Sequence, residues 1–433
     1  MRKNKIDIIS LGCSKNLVDS EHLIRQFQAN GYSVEHNPSR VDGEIVVVNT
    51  CGFIRDAQEE SIDMILELGR AKKEGKIKKL FVMGCLAERF MAQLIDELPE
   101  VDKFYGKFNW KEMLNDLGKS YKEDLSSERY LTTPKHYAYL KISEGCNRFC
   151  AFCAIPLITG RHKSVPMDTL LNEVKYLVSQ GVKEFNVIAQ DLSSYGLDLY
   201  GKMMLPELID QMAQIEGVEW IRLHYAYPTQ FPYDILPVMA KHDNVCKYLD
   251  IALQHSSDKV LNNMQRHITK AETIELIKRI RKEVPGIHIR TTLMVGFPGE
   301  GEEEFNDLVD FVEEMRFERM GAFAYSEEEG TFAAKHFDDI IPEDVKADRL
   351  DKIMEIQEEI SNEIQSKKVG NVYKVIIDSV DEMYYSGRTE WDSPEVDPEV
   401  LIPVENSKLE IGNFYQVEIT DATPFELFGK VVG

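Results

Sequence analysis

Residues 143–156 read SEGCNRFCAFCAIP and place Cys146, Cys150 and Cys153 within eight residues. Thiolates select soft metals and iron–sulfur clusters. Three of them form an incomplete set for a metal that takes four ligands, and no fourth cysteine follows nearby. A structural zinc site would draw its fourth ligand from a second Cys or His pair. His162 is the nearest candidate, but Gly160 and Arg161 beside it give no ligand-pair spacing. A four-iron cubane held by three cysteines keeps one iron open to a small molecule, and Phe149 and Phe152 are placed to shield it. Three packed core thiols are the plainer alternative. The spacing alone says only that one ligand position is left for something else.

The surrounding pattern says where such a loop sits. YAYLKIS (137–143) leads into it, and EFNVIAQD (184–191), WIRLHYA (220–226), YLDIALQ (248–254), IRTTLMVGF (289–297) and MGAFAYS (320–326) follow. These six runs, mostly with helical segments between them, predict a partial (β/α)6 barrel of the triosephosphate-isomerase kind. Chemistry in such a barrel lies at the C-terminal ends of the strands, which is where the cysteine loop falls. A long charged helix is expected from roughly Pro342 to Lys368.

On the N-terminal side, KIDIISLG (5–12), GEIVVVNT (43–50) and KKLFVMG (78–84) read as buried strands, each followed by a helical pattern. That alternation predicts a doubly wound parallel sheet. Residues 121–134 are polar and end in Pro134, so a linker is expected there. From about residue 367, NVYKVIIDSV (371–380), YYSGRT (384–389), EVLIPV (399–404) and FYQVEITDA (414–422) predict a small antiparallel β-barrel of the oligonucleotide-binding (OB-like) type. The expected organisation is an α/β multidomain chain with domains at 1–120, 134–366 and 367–433.

Cys13, Cys51 and Cys85 each close one of the N-terminal strands, just before a helix. In a parallel sheet those ends share one edge, so residues far apart in sequence converge, and helix N-termini favour anionic thiolates. Each cysteine alone would read as a packed thiol. Their matched placement on three successive units points to a second cluster, again with an open iron. Cys246, in NVCKYLD (244–250), has no partner pattern and is expected in the core.

The chain of 433 residues carries a net charge of −23, and residues 366–433 hold six Lys and Arg against thirteen Asp and Glu. Such a balance disfavours a large phosphate-binding surface and suits a basic partner. An odd count of seven scattered cysteines fits no disulfide framework. No apolar run is long enough to span a bilayer, and the N-terminus enters a strand instead of a signal-peptide core. A cytoplasmic protein without a membrane partner is expected.

LGCSKNLVDSE (11–21), NTCGFIRDAQEES (49–61), MGCLAER (83–89) and KISEGCNRFCAFCAIP (141–156) together resemble the methylthiotransferases, radical S-adenosylmethionine (SAM) enzymes with two clusters. The resemblance spans essentially the whole chain and implies an N-terminal methylthiotransferase domain, a radical-SAM barrel and a C-terminal TRAM domain. LGCSKN followed by VDSE, and GRTEWDSPEVDPEVLI (387–402), resemble the RimO-type branch, which modifies an aspartate of small-subunit ribosomal protein twelve. The tRNA-modifying, MiaB-like branch typically carries Gln and Met or Asn after the first cysteine and a basic TRAM domain. Neither feature is present.

The resemblance implies that Cys146, Cys150 and Cys153 hold a [4Fe-4S] cluster whose open iron takes the amino and carboxylate groups of SAM. One electron, from a donor such as flavodoxin or ferredoxin, then yields methionine and a deoxyadenosyl radical that abstracts hydrogen from the β-carbon of the substrate aspartate. Cys13, Cys51 and Cys85 would hold a second [4Fe-4S] cluster carrying the sulfur that is methylated and transferred. Gln190 and Asp191 end the second barrel strand and Arg290 begins the fifth, so they are candidates to face SAM. GFPGE (296–300) resembles the turn beside the adenine, while His224 and His255 are expected to be packed or hydrogen-bonded. The acidic group Asp392, Glu395, Asp397 and Glu399 is expected to help dock a basic protein. The rival readings are a tRNA (isopentenyladenosine) methylthiotransferase with the same chemistry and an iron–sulfur electron carrier. Simple carriers saturate their irons with cysteine, which weighs against the second.

Overall fold

Ile- and Val-rich runs flanked by helical patterns bury both of their faces, and the N-terminal third does so around one sheet. In this computed structural model, which describes residues 2–406 and 408–432, the elements run β1 (Arg2–Ser10), α1 (Ser14–Ala29), β2 (Ser33–His36), β3 (Gly43–Thr50), α2 (Arg55–Lys73), β4 (Lys79–Gly84), α3 (Cys85–Glu97) and β5 (Lys103–Phe104). Among the described residues the five strands are ordered β2-β1-β3-β4-β5, all parallel. Alternate residues of β3 point to opposite faces. Val46 and Val48 pack with Ile65 and Leu68 of α2 and Leu94 of α3, while Ile45 and Val47 pack with Leu23, Ile24 and Phe27 of α1. The order reverses between β1 and β3, the switch point at which doubly wound sheets bind ligands. Cys13 and Cys51 follow those two strands.

The chain divides into two compact units. The first comprises Met1–Thr133, Tyr139–Asn147 and Cys153–Leu177; the second comprises Pro134–Ala138, Arg148–Phe152 and Val178–Gly433. The expected linker is not loose. Buried Arg129 ion-pairs with Glu21 at 3.0 Å and Glu173 at 3.1 Å, and Glu21 also accepts the Thr132 backbone N–H at 2.7 Å.

The central strands are β6 (Tyr137–Lys141), β7 (Glu184–Ile188), β8 (Trp220–Ala226), β9 (Val245–Ile251), β10 (His288–Val295) and β11 (Arg319–Ala324), with a short helix α4 (Ile155–Thr159) after the cysteine loop. They form one sheet in chain order, and β7 to β11 pair in parallel. A helix α5 (Glu343–Ser366) then leads to β12 (Val372–Val380), β13 (Tyr384–Arg388), β14 (Glu399–Pro403), β15 (Phe414–Ala422) and β16 (Glu426–Val431). These last five close into a barrel around Val375, Ile377, Val400, Ile402, Val417, Ile419 and Leu427. Among the described residues no helix is long and apolar enough to cross a membrane.

Within the second unit, the β13–β14 loop packs its charges against the central sheet. Arg319 pairs with Asp392, and Asp397 accepts from both Arg290 and Tyr248. Beside them Glu184 takes Arg388 at 2.7 Å and Arg222 at 3.2 Å, and Arg388 also holds Asp378 at 2.6 Å. Burial works to raise Glu184, but the two guanidiniums hold its carboxyl below the usual range. One expectation is corrected here. Asp392 and Asp397 have fully buried side chains, so they cannot present charge to a docking protein, although Glu395 and Glu399 are exposed. Arg290, a candidate to face SAM, is ion-paired with Asp397.

Lys368 is the poorly compensated member of this region. Its buried Nζ lies 5.2 Å from the Trp391 ring and has no hydrogen-bond partner among the described residues. Burial pushes its pKa down to about 8, against the attraction of Asp392, Asp397 and Glu318 and with the repulsion of Arg319. The folded value lies below the unfolded one, so the penalty is full below about pH 8 and fades as pH rises towards about 10. Lys368→Met is therefore expected to stabilise the protein at pH 7 by about 1–3 kcal/mol and to remove the alkaline gain. Denaturant unfolding at pH 7 and 9.5 measures both; a less stable variant would show that the ammonium is well satisfied.

Candidate functional site

Three segments far apart in sequence must touch if Cys13, Cys51 and Cys85 are to share a ligand, and glycine makes that approach feasible. A Cβ on Gly12 would lie 2.7 Å from Cys51 Cβ and 2.9 Å from its Sγ. One on Gly52 would lie 2.6 Å from the Leu86 backbone nitrogen and 2.8 Å from the Cys85 carbonyl carbon. Only a residue without a side chain fits either place. Cys13 caps α1 and is exposed, Cys51 follows β3, and Cys85 opens α3. Asn16 ties the three together: its Nδ2 donates to Leu11 and Thr50 carbonyls at 3.2 and 2.9 Å, and its Oδ1 accepts from Cys85 at 3.5 Å.

Burial pushes the Cys85 thiol up to about 12 and raises Cys51 as well, while the Lys107 ammonium pulls both the other way. Thiols this reluctant to ionise lose their protons when a metal takes them. Three soft donors on one sheet edge, beside a fixed cation, suit a metal–sulfur cluster. Lys107 is itself buried, 2.9 Å from Glu144 and 3.7 Å from Asp19. Lys141 bonds the same two carboxylates. Burial would raise Glu144, but the two ammoniums hold it at about 2. The four side chains connect α1, which begins after Cys13, to the segment two residues before Cys146. In the same unit Cys85 packs on Ala154 and Ile158, directly after Cys153.

The cysteine loop is held through its backbone. In the first unit the Cys146 N–H donates to the Gly160 carbonyl at 3.2 Å. In the second, fully buried Ala151 donates to the Met264 carbonyl at 2.9 Å and accepts from the Ala333 N–H at 2.8 Å. Arg148 Nε bonds Asp191 at 2.7 Å, and Asp191 also accepts from the Ser193 N–H and Ser194 hydroxyl. Asp191 thus anchors the loop. Phe152 stacks edge-on against Phe297, whereas Phe149 is half exposed with a left-handed backbone, φ 51°.

Of the other expected residues, Gln190 is half-buried just beyond the C-terminal end of β7. His224 bonds Asn186 at 3.3 Å, His162 bonds Ser164 at 3.1 Å, and His255 bonds Glu300 at 3.0 Å. Glu300 also takes the Gly296 N–H and Arg349, which locks the GFPGE turn. Cys246 is buried with Trp220, Tyr248 and Ile376, a core thiol. Sequence reasoning missed Asn16 and Arg148, which lie inside the quoted motifs but were not singled out, and Lys107, which lies in none; each gains a role only from what folds against it.

Comparison with known proteins bears on the same regions. Residues 5–106 match the family described as Uncharacterized protein family UPF0004, residues 140–312 the Radical SAM superfamily, and residues 369–432 the TRAM domain. The chain is 64% identical to the ribosomal protein uS12 methylthiotransferase RimO of Parabacteroides distasonis over 432 residues, covering 100% of each chain. The protein of the same name from Flavobacterium johnsoniae is 51% identical, covering 99% of this chain and 98% of that one. Among solved structures, the radical SAM methyltransferase TsrM of Kitasatospora setae aligns over 77% of each chain with a TM-score of 0.59 at 13% identity, a likeness of fold. The architecture and the cysteine loop define a radical SAM protein with a TRAM barrel. More narrowly, the chain belongs to the RimO family of methylthiotransferases.

The Asp19–Lys107–Lys141–Glu144 group can be probed without any cofactor. Lys107→Met would leave two buried carboxylates with one ammonium, at an expected cost of about 3–5 kcal/mol. Urea unfolding of the reduced apoprotein measures it, and a loss below about 1 kcal/mol would show that water already solvates the group.

Proposed function

We propose that this chain attaches a methylthio group to the β-carbon of an aspartate in ribosomal protein uS12, using SAM and two [4Fe-4S] clusters. The observation that carries the reading is within the first unit: the convergence of Cys13, Cys51 and Cys85, with Cys85 packed on the helix that follows Cys153. Whole-length identity to RimO proteins supports the substrate. Cys146, Cys150 and Cys153 would hold the cluster that binds SAM, and Cys13, Cys51 and Cys85 the second.

When bound, the clusters supply the electron that cleaves SAM and a site for the sulfur to be transferred. The remaining tasks fall to the polypeptide. Arg148 and Asp191 hold the cysteine loop in place, and Gln190 and Arg290 are the candidates to contact SAM. Asn16 fixes the second trio, and Lys107 keeps positive charge beside thiolates that burial disfavours. The electron donor would be a small reductant of the flavodoxin or ferredoxin type, and the setting cytoplasmic. The net charge of −23 suits a basic ribosomal protein better than tRNA.

Anaerobic reconstitution is expected to load about eight irons per chain, from two four-iron clusters. Replacing Cys13, Cys51 and Cys85 with Ala should remove about half while deoxyadenosine release from SAM stays measurable. Replacing Cys146, Cys150 and Cys153 should remove the other half and abolish that release. Mass spectrometry of uS12 and tRNA offered together should find the added methylthio mass on uS12; modified tRNA with untouched uS12 would sink the assignment.

A further inference from the structure

Cys150 differs from its neighbours in what touches its sulfur. Arg266 Nη1 lies 3.3 Å from Cys150 Sγ, and the Tyr227 hydroxyl lies 3.5 Å from it. The Tyr227 ring in turn packs against two guanidiniums, with Arg148 4.3 Å and Arg266 4.2 Å from its centroid. All four residues belong to the second unit.

The backbone is bent to deliver this arginine. Gln265 and His267, on either side, both hold left-handed conformations at φ 56° and 52°. Residues without the freedom of glycine adopt such angles at a cost, and they concentrate at functional positions. The segment is over-determined: Met264 accepts the Ala151 N–H, Arg266 Nη2 donates to the Ala252 carbonyl, and the Arg266 carbonyl accepts from Thr229 at 2.8 Å. The strand 245–251, the loop 264–267 and the cysteine loop are therefore locked together with the guanidinium aimed at one sulfur.

We propose that Arg266, supported by Tyr227, sets the reduction potential of the cluster that SAM binds, by donating to the ligand sulfur of Cys150. The proposal rests on the reading that Cys150 is a cluster ligand. Reduction by one electron adds negative charge that spreads onto the ligand sulfurs. Hydrogen bonds to those sulfurs and a nearby positive charge favour the reduced form and raise the potential. A guanidinium supplies both at once and remains charged throughout. Arg266 acts here as a tuning residue, one step removed from SAM and substrate.

The test uses the full-length chain with Cys13, Cys51 and Cys85 replaced by Ala, so that one cluster gives the signal. Potentiometric titration is followed by the EPR signal of the reduced cluster, with iron counted at about four per chain. Arg266→Met is expected to shift the reduction equilibrium about tenfold toward the oxidised cluster, about 60 mV for one electron. Arg266→Lys should recover part of the shift, and Tyr227→Phe, which keeps the ring against the arginines, should move it less in the same direction. Full iron with an unchanged midpoint in both Arg266 variants would overturn the proposal, since a merely structural arginine would alter loading and leave the potential alone. Should Arg266→Met not fold, Arg266→Lys and Tyr227→Phe decide on the same criterion. Cys150→Ala in the same background is expected to lose its iron. Full iron and an unaltered signal there would remove the ligand assignment itself, a failure distinct from that of Arg266.

Discussion

A loop that must present three thiols within eight residues has no helix or sheet of its own to hold it, and the function proposed for this protein depends on fixing it. The solution lies in the main chain at Ala151. Its N–H and carbonyl are bonded to segments more than a hundred residues away, and its methyl group is wholly enclosed. A residue with a larger side chain would not fit between Met264, Phe297 and Ala333. Arg148 adds a charged tie to Asp191, and within the first unit the Cys146 N–H adds a backbone tie to Gly160. The geometry of this loop therefore depends on late-sequence segments that look like ordinary loops, such as 264–267 and the start of the short helix Phe332–His336.

The second trio obeys a different constraint. Its cysteines stand at strand ends, already registered by β1, β3 and β4, so close approach is the remaining requirement. Gly12 and Gly52 provide it. A parallel sheet thus does for Cys13, Cys51 and Cys85 what backbone bonds do for the loop. Burial makes Cys51 and Cys85 poor acids, and a fixed ammonium partly offsets that.

Much of this was legible in the sequence because long Ile- and Val-rich strands declare themselves. KIDIISLG, GEIVVVNT and IRTTLMVGF became β1, β3 and β10, and the charged run after Pro342 became α5. Among the strands that escaped were β2, β5 and β16. SVEH is short and polar, KF has two residues, and ELFGKV is broken by glycine, so none carries a strong periodic signal. At the site, cysteine spacing survives translation into structure, whereas charge does not. Counting acidic residues made Asp392 and Asp397 look like surface, because composition is blind to the arginines that later fold over them. Nothing in NNMQRHITK hinted that Arg266 would reach a cysteine more than a hundred residues earlier in the chain.

The buried charges of the β13–β14 loop also bear on how such a chain can evolve. Small β-barrels at the end of an enzyme are usually thought of as exchangeable attachments. Here Glu184, Arg222, Arg290 and Arg319, which belong to the central strands, find their counter-charges or carbonyl partners on residues 388–397. A chain inheriting a foreign barrel would leave these groups enclosed and uncompensated, at a cost comparable with the whole stability of a domain. The terminal barrel and the strand starts must therefore change together, so this part of the protein descends as one heritable block.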